Sequence, residues 1–159
     1  MKEKKRNPFK LQEFRGIDPK IVEKLKEFQI RTADQMLAAG NTKESRSELV
    51  QKTGIAESDL LELVKLSDLS RLPGVKGIRA RLYFDAGIDC VEKMASWEPE
   101  ALRLMVSEYV KQTNFDGIPP LPKEVSSTIE NAETTEDCSV LILLDVRHST
   151  TCPRCGMLE

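Results

Sequence analysis

From position 17 onward, apolar residues return every three or four positions with polar and charged residues between them. That period belongs to helices with one buried face rather than to strands. Ile17, Ile21, Val22, Leu25 and Phe28 form the first such stripe, which predicts a helix between Ile17 and Ile30. Pro19 suits its first turn, where a missing N–H removes no hydrogen bond. Thr32 is the predicted N-cap of a second helix that ends at Gly40. A third runs from Lys43 to Lys52 and stops at Gly54. Ser58 is expected to cap a fourth, whose Leu60, Leu61, Val64, Leu66 and Leu69 make a broad stripe. A fifth helix follows Leu72–Gly77 and ends near Ala86, with Gly87 as its stop. Asp89 is expected to cap a short sixth helix reaching Trp97. Pro99 opens a seventh, carrying Leu102, Met105, Val106, Tyr109 and Val110. After a Pro/Gly-rich connection from Phe115 to Pro122, a last helix to about Glu133 carries Val125 and Ile129. Val140–Leu144, a continuous apolar run, is the one strand signal. The pattern predicts an all-α, compact helical domain over 11–133. A charged tail over 1–10 precedes it, and an extension over 134–159 follows.

The chain also repeats itself at an offset of 58 positions. Gly16-Ile17 aligns with Gly74-Val75, and Val22 with Ala80. Ile30-Arg31-Thr32-Ala33-Asp34-Gln35-Met36 aligns with Ile88-Asp89-Cys90-Val91-Glu92-Lys93-Met94. Each copy reads as a turn followed by helices, and two copies packed together bury faces that one would expose. Gly54-Ile55 marks a third, degenerate turn between them.

The turn Leu72-Pro73-Gly74-Val75-Lys76-Gly77 carries the chemistry. Glycine permits backbone angles closed to other residues and lets the chain approach a phosphate. The N–H groups opening the next helix then point at that anion, aided by the helix dipole. Residues 69–88 resemble the helix-hairpin-helix superfamily: Leu72, Gly74, Val75 and Ala80 are of the expected types, and Lys76, Arg79 and Arg81 supply charge. Residues 14–30 resemble it through Phe14, Gly16, Ile17, Pro19 and Lys20. The resemblance implies sequence-independent grip of a nucleic-acid backbone by Gly74, Val75, Lys76, Gly77, Arg79 and Arg81, with Gly16 and Lys20 as the matching positions of the first copy. Both copies depart from the motif at its second glycine, which is Asp18 in the first and Lys76 in the second. Asp18 repels phosphate, so the first copy reads as structural.

Both hairpins, Thr53-Gly54-Ile55, Asp68-Leu69-Ser70-Arg71 and Gly117-Ile118-Pro119-Pro120-Leu121-Pro122-Lys123-Glu124-Val125 follow one another along the chain. Through these residues, over 8–133, the chain is similar to a bacterial family known as domain of unknown function 4332. The similarity implies a compact all-helical fold with tandem hairpins, and it implies no activity.

Composition changes this picture in one respect. The 159 residues are 40% hydrophobic and carry a net charge of −2, with a pI of about 5.6. Such a balance opposes strong nonspecific binding to phosphates. The charge is uneven, however: residues 71–84 hold Arg71, Lys76, Arg79 and Arg81 and no acid. Residues 115–137 hold Asp116, Glu124, Glu130, Glu133, Glu136 and Asp137 against Lys123 alone. A local basic patch is therefore expected beside an acidic segment. No apolar run is long enough to span a membrane, and the charged start Met1–Arg6 is unlike a secretory signal, so a cytoplasmic protein is expected.

Four cysteines are present, at 90, 138, 152 and 155. Cys90 reads as a small buried side chain. Cys152-Pro153-Arg154-Cys155-Gly156 has the form of a zinc knuckle, in which two thiolates two residues apart hold one tetrahedral metal. Cys138 and His148 are the candidates for the remaining ligands. A site shared between two chains, a redox pair and an inert extension are the alternatives.

Nothing in the chain points to catalysis or to a small-molecule substrate. The sole histidine is His148, and no phosphate-loop, dinucleotide or zinc-protease motif occurs. Two functions follow as expectations: a noncatalytic nucleic-acid-binding module working through the second hairpin, or a helical protein-interaction module with structural hairpins.

Overall fold

The computed structural model describes residues 9–115 and 119–134. Over these residues the chain is all-helical. A 3-10 turn at Leu11–Glu13 precedes α1 (Pro19–Glu27), α2 (Ala33–Gly40), α3 (Lys43–Thr53), α4 (Glu57–Leu69), α5 (Gly77–Asp85), α6 (Val91–Ala95), α7 (Pro99–Thr113) and α8 (Pro122–Thr134). One isolated antiparallel bridge, between Lys10 and Thr32, is the β pairing among the described residues. Residues 1–8 of the expected 1–10 tail, the Val140–Leu144 run, and Cys138, His148, Cys152 and Cys155 lie outside them.

Most helix starts follow local chemistry. Asp18 accepts a hydrogen bond from the Lys20 N–H at 2.9 Å, with Pro19 as the first helical residue. Thr32 and Gln35 form a reciprocal capping box at the start of α2. An Asp18→Ala variant is expected to lose about 1 kcal/mol of stability, read as a lowered urea midpoint. An unchanged midpoint would show that the cap contributes nothing.

Two expected caps are not used. Ala56, not Ser58, stands at the N-cap of α4 and makes no side-chain cap bond. Glu57 and Asp59 complement the dipole there instead. Asp89 does not cap α6, because Lys65 at 2.5 Å and Lys93 at 2.8 Å hold its carboxylate. Burial alone would raise the Asp89 carboxyl, but these two ammonium groups overcome it and hold the group below the usual carboxylate range. The Val91 N–H is served from α4, by the fully buried Asp68 at 3.1 Å. Cys90 is buried, as expected.

The internal repeat is visible in the element bounds. α1 and α5 begin and end 58 positions apart, and so do the starts of α2 and α6. Gly16 and Gly74 adopt φ of 78° and 81°, where a side chain would be strained. The Ile30 N–H donates to the Leu25 carbonyl, as the Ile88 N–H does to that of Tyr83. Buried residues repeat in the same register: Leu11 and Leu69, Phe14 and Leu72, Leu25 and Tyr83, Met36 and Met94. α4 and α8 are both thirteen residues long but start 65 positions apart, because α7 and the connection after it are longer than α3 and Gly54–Ala56. α2 and α3 pack on α4, as α6 and α7 pack on α8, and α4 meets α5. α4 is the spine, with Leu60, Leu63, Val64, Leu66 and Leu69 all at 0% exposure. Among the described residues, no helix is long and apolar enough to cross a membrane.

Candidate nucleic-acid interface

The turn before α5 is closed by the Val75 N–H donating to the Leu72 carbonyl at 3.1 Å. Val75 is buried and anchors the turn, while Gly74 is exposed, with open space where a side chain would stand. Lys76 sits exposed at the N-cap in extended conformation and makes no cap bond. Among the described helices, α5 is the one with no acid at its N-cap or in its first turn. At the matching place in the first copy, the Asp18 carboxylate already fills the helix start. Lys20 and Gly16 are exposed there, but the anion position beside them is taken.

Gly77 has a different role from the one its place in the turn suggests. It is buried, and a Cβ there would overlap the Glu13 carbonyl oxygen and lie 3.3 Å from the Phe9 ring. The helix start is thereby pressed onto the 3-10 turn of the first copy, and Gly77 is a packing residue.

The expected basic patch is largely neutralised from within. Arg71 pairs with the buried Asp68 at 2.8 Å. Arg79 pairs with Glu124 at 3.2 Å. Arg81 does not face outward at all. Its Nε donates to the Arg15 carbonyl at 2.7 Å, and its Nη atoms pair with Glu62 at 2.6 Å and Asp85 at 3.3 Å. The guanidinium stands beside Gly16, 3.1 Å from where a Cβ would be, and lies over the Phe84 ring. Sequence spacing places Arg81 on the same helix as Arg79, but two positions turn it about 200° around the axis, toward the first copy. Arg81 is thus a strut between the copies rather than a phosphate contact.

A cleft of about 280 Å3 opens beside the second turn, lined by Pro73, Gly74, Arg79, Tyr83, Lys123 and Glu124, with Ser127 and Thr128 behind them. Tyr83 lies at its base, where burial raises the phenol and the Arg79 guanidinium and the Thr128 hydroxyl partly offset this. The α8 residues were not legible as site residues, because Glu124 sits in an acidic stretch of sequence. The signal that finds them is the 65-position match between α4 and α8. It aligns Asp59 with Glu124 and Glu62 with Ser127, and the first copy has the equivalent cleft, of about 230 Å3, lined by Gly16, Ile17, Asp18, Ile21, Asp59 and Glu62. That cleft carries three acids and no base. The second carries Arg79, Lys123 and Glu124, with Lys76 beside it.

Among the described residues, no group of three or more His, Cys, Asp or Glu is arranged to hold a metal ion. The zinc candidates Cys138, His148, Cys152 and Cys155 are not among these residues.

No curated protein and no solved structure matches the chain. A family model does, that of a domain of unknown function (DUF4332), over residues 15–135. This range spans both turns, both clefts and all eight helices, so the chain belongs to the DUF4332 family.

Proposed function

We propose that the domain is a noncatalytic nucleic-acid-binding module, built on tandem helix-hairpin-helix repeats, that holds a backbone phosphate at the start of α5. The observation that carries this reading is the contrast between two matched helix starts. α1 holds a carboxylate, that of Asp18, on the Lys20 N–H of its first turn. α5 starts at the matching position with an extended N-cap, Lys76 in place of Asp18, and no acid of its own. An anion fits the first position, and the second presents the same donors with a cation beside them. The open space over Gly74 lets a phosphate approach the backbone. Contacts of this kind grip without reading sequence.

Titration of labelled duplex DNA by fluorescence anisotropy tests the reading. Binding is expected at about 50 mM salt and is expected to weaken steeply by about 200 mM. Lys76→Glu is expected to lower affinity about tenfold, through charge reversal at the phosphate. Absence of binding at low salt, or full affinity in Lys76→Glu, overturns it.

A second reading, a helical protein-interaction module, is favoured by two apolar side chains at the starts of the helices that border the cleft. Ile78 is 52% exposed in α5 and Leu121 is 63% exposed just before α8. That reading expects Ile78→Ser to abolish partner binding while Lys76→Glu leaves it intact.

A further inference from the structure

We propose that Glu124 is a built-in competitor for the phosphate: in the free protein its carboxylate occupies Arg79 across the cleft, and an incoming backbone phosphate takes its place. The inference rests on the phosphate-binding reading of the second hairpin. Arg79 and Glu124 belong to different helices and meet at 3.2 Å, at the wall of the cleft beside Gly74. The same Glu124 oxygen, Oε2, accepts the Leu121 N–H at 2.8 Å, a bond that starts α8. Releasing Arg79 therefore does not strand the carboxylate. It keeps its backbone donor, and its side chain is 51% exposed, so water completes its shell. Arg79 is more covered, at 24%, and its guanidinium is served best by a group with several acceptor oxygens, as a phosphate has.

The first copy acts as an internal control. Its matching positions are Ile21 and Asp59, so no such pair forms there. The competitor is found only in the copy whose helix start carries no anion of its own. Its effect is selection. Exposed ion pairs are weak, so a phosphodiester displaces Glu124 readily. A partner carboxylate exchanges one carboxylate for another on Arg79 and gains little. This agrees with a protein whose net charge is −2 yet whose second turn is set up for an anion.

The full-length chain and labelled duplex DNA provide the test. Glu124→Gln keeps an amide oxygen for the Leu121 N–H and removes the charge, so α8 is retained. It is expected to bind about fivefold more tightly than the unaltered protein. The gain is expected to vanish in an Arg79→Ala background, because Arg79 is the group that Glu124 withholds. Glu130→Gln, an equal change of charge farther along α8, is expected to gain less than twofold. A Glu124→Gln gain no larger than that of Glu130→Gln, or one that persists without Arg79, overturns the competitor and leaves the hairpin reading standing. Failure of every variant to bind DNA at low salt overturns both. Loss of the helical circular-dichroism signal in Glu124→Gln would show that the residue is needed for the fold, and would equally overturn the proposal.

Discussion

Arg81→Met is expected to lower the stability of the domain by about 3 kcal/mol, the lower end of the range for breaking a buried ion pair. The methionine keeps the apolar stem, so the loss reports the guanidinium alone. That group bonds the Arg15 carbonyl in the first turn, Glu62 on α4 and Asp85 on its own helix, and it stands against Gly16. Its removal leaves a turn carbonyl and two carboxylates without their cation. Glu62 and Asp85 are each about one-third exposed and regain water, which is why the lower end of the range applies. Urea denaturation of the two proteins measures the effect, and for a chain of this size it corresponds to a melting point lower by about 8 °C. A phosphate contact behaves in the opposite way, losing DNA affinity at unchanged stability. A loss below about 1 kcal/mol, the level of an exposed pair, would remove Arg81 as a strut.

The second large effect is expected at Gly77. Gly77→Ala should cost about 2 kcal/mol, although alanine is the better helix residue. The obstacle is backbone: the new Cβ overlaps the Glu13 carbonyl oxygen. That oxygen cannot swing aside, because the 3-10 turn is held at both ends, by the Glu13 N–H on the Lys10 carbonyl and the Phe14 N–H on that of Leu11. α5 must instead retreat from the first copy and draw Ala80 and Tyr83 with it, both buried. Reduced freedom of the unfolded chain returns less than about 1 kcal/mol. Chemical denaturation checks the value, and an Ala variant as stable as the original would show that the two copies do not meet at this point.

Both effects lie at the contact between the repeats, and neither was visible along the chain. The helices themselves were. Their apolar spacing, Pro19, Pro99 and Pro122 at helix starts, the Thr32 cap and the Gly54 and Gly87 stops are local signals, acting within one or two turns. Where local reading missed, a distant residue had intervened. Asp89 is a good cap by type, but Lys65 from α4 and Lys93 hold its carboxylate, and Asp68 takes over the α6 start. The four bases of residues 71–84 form a patch on paper. In the fold, Asp68, Glu124 and Glu62 reach three of them, from sequence distances of 3, 45 and 19 positions. A charge count over a window cannot register acids that arrive from elsewhere.

By itself, the sequence determined that this protein is helical, that it is built of two similar halves, and that Gly16 and Gly74 each stand in a turn that leads into a helix. Those properties follow from periodicity and from backbone angles that glycine alone adopts without strain. Only the tertiary structure decided that Arg81 braces the halves, that Gly77 is a packing residue, and that Glu124 shares the cleft with Arg79. Ion pairing and close packing depend on distance in space, and the chain sets that distance only once its helices have docked.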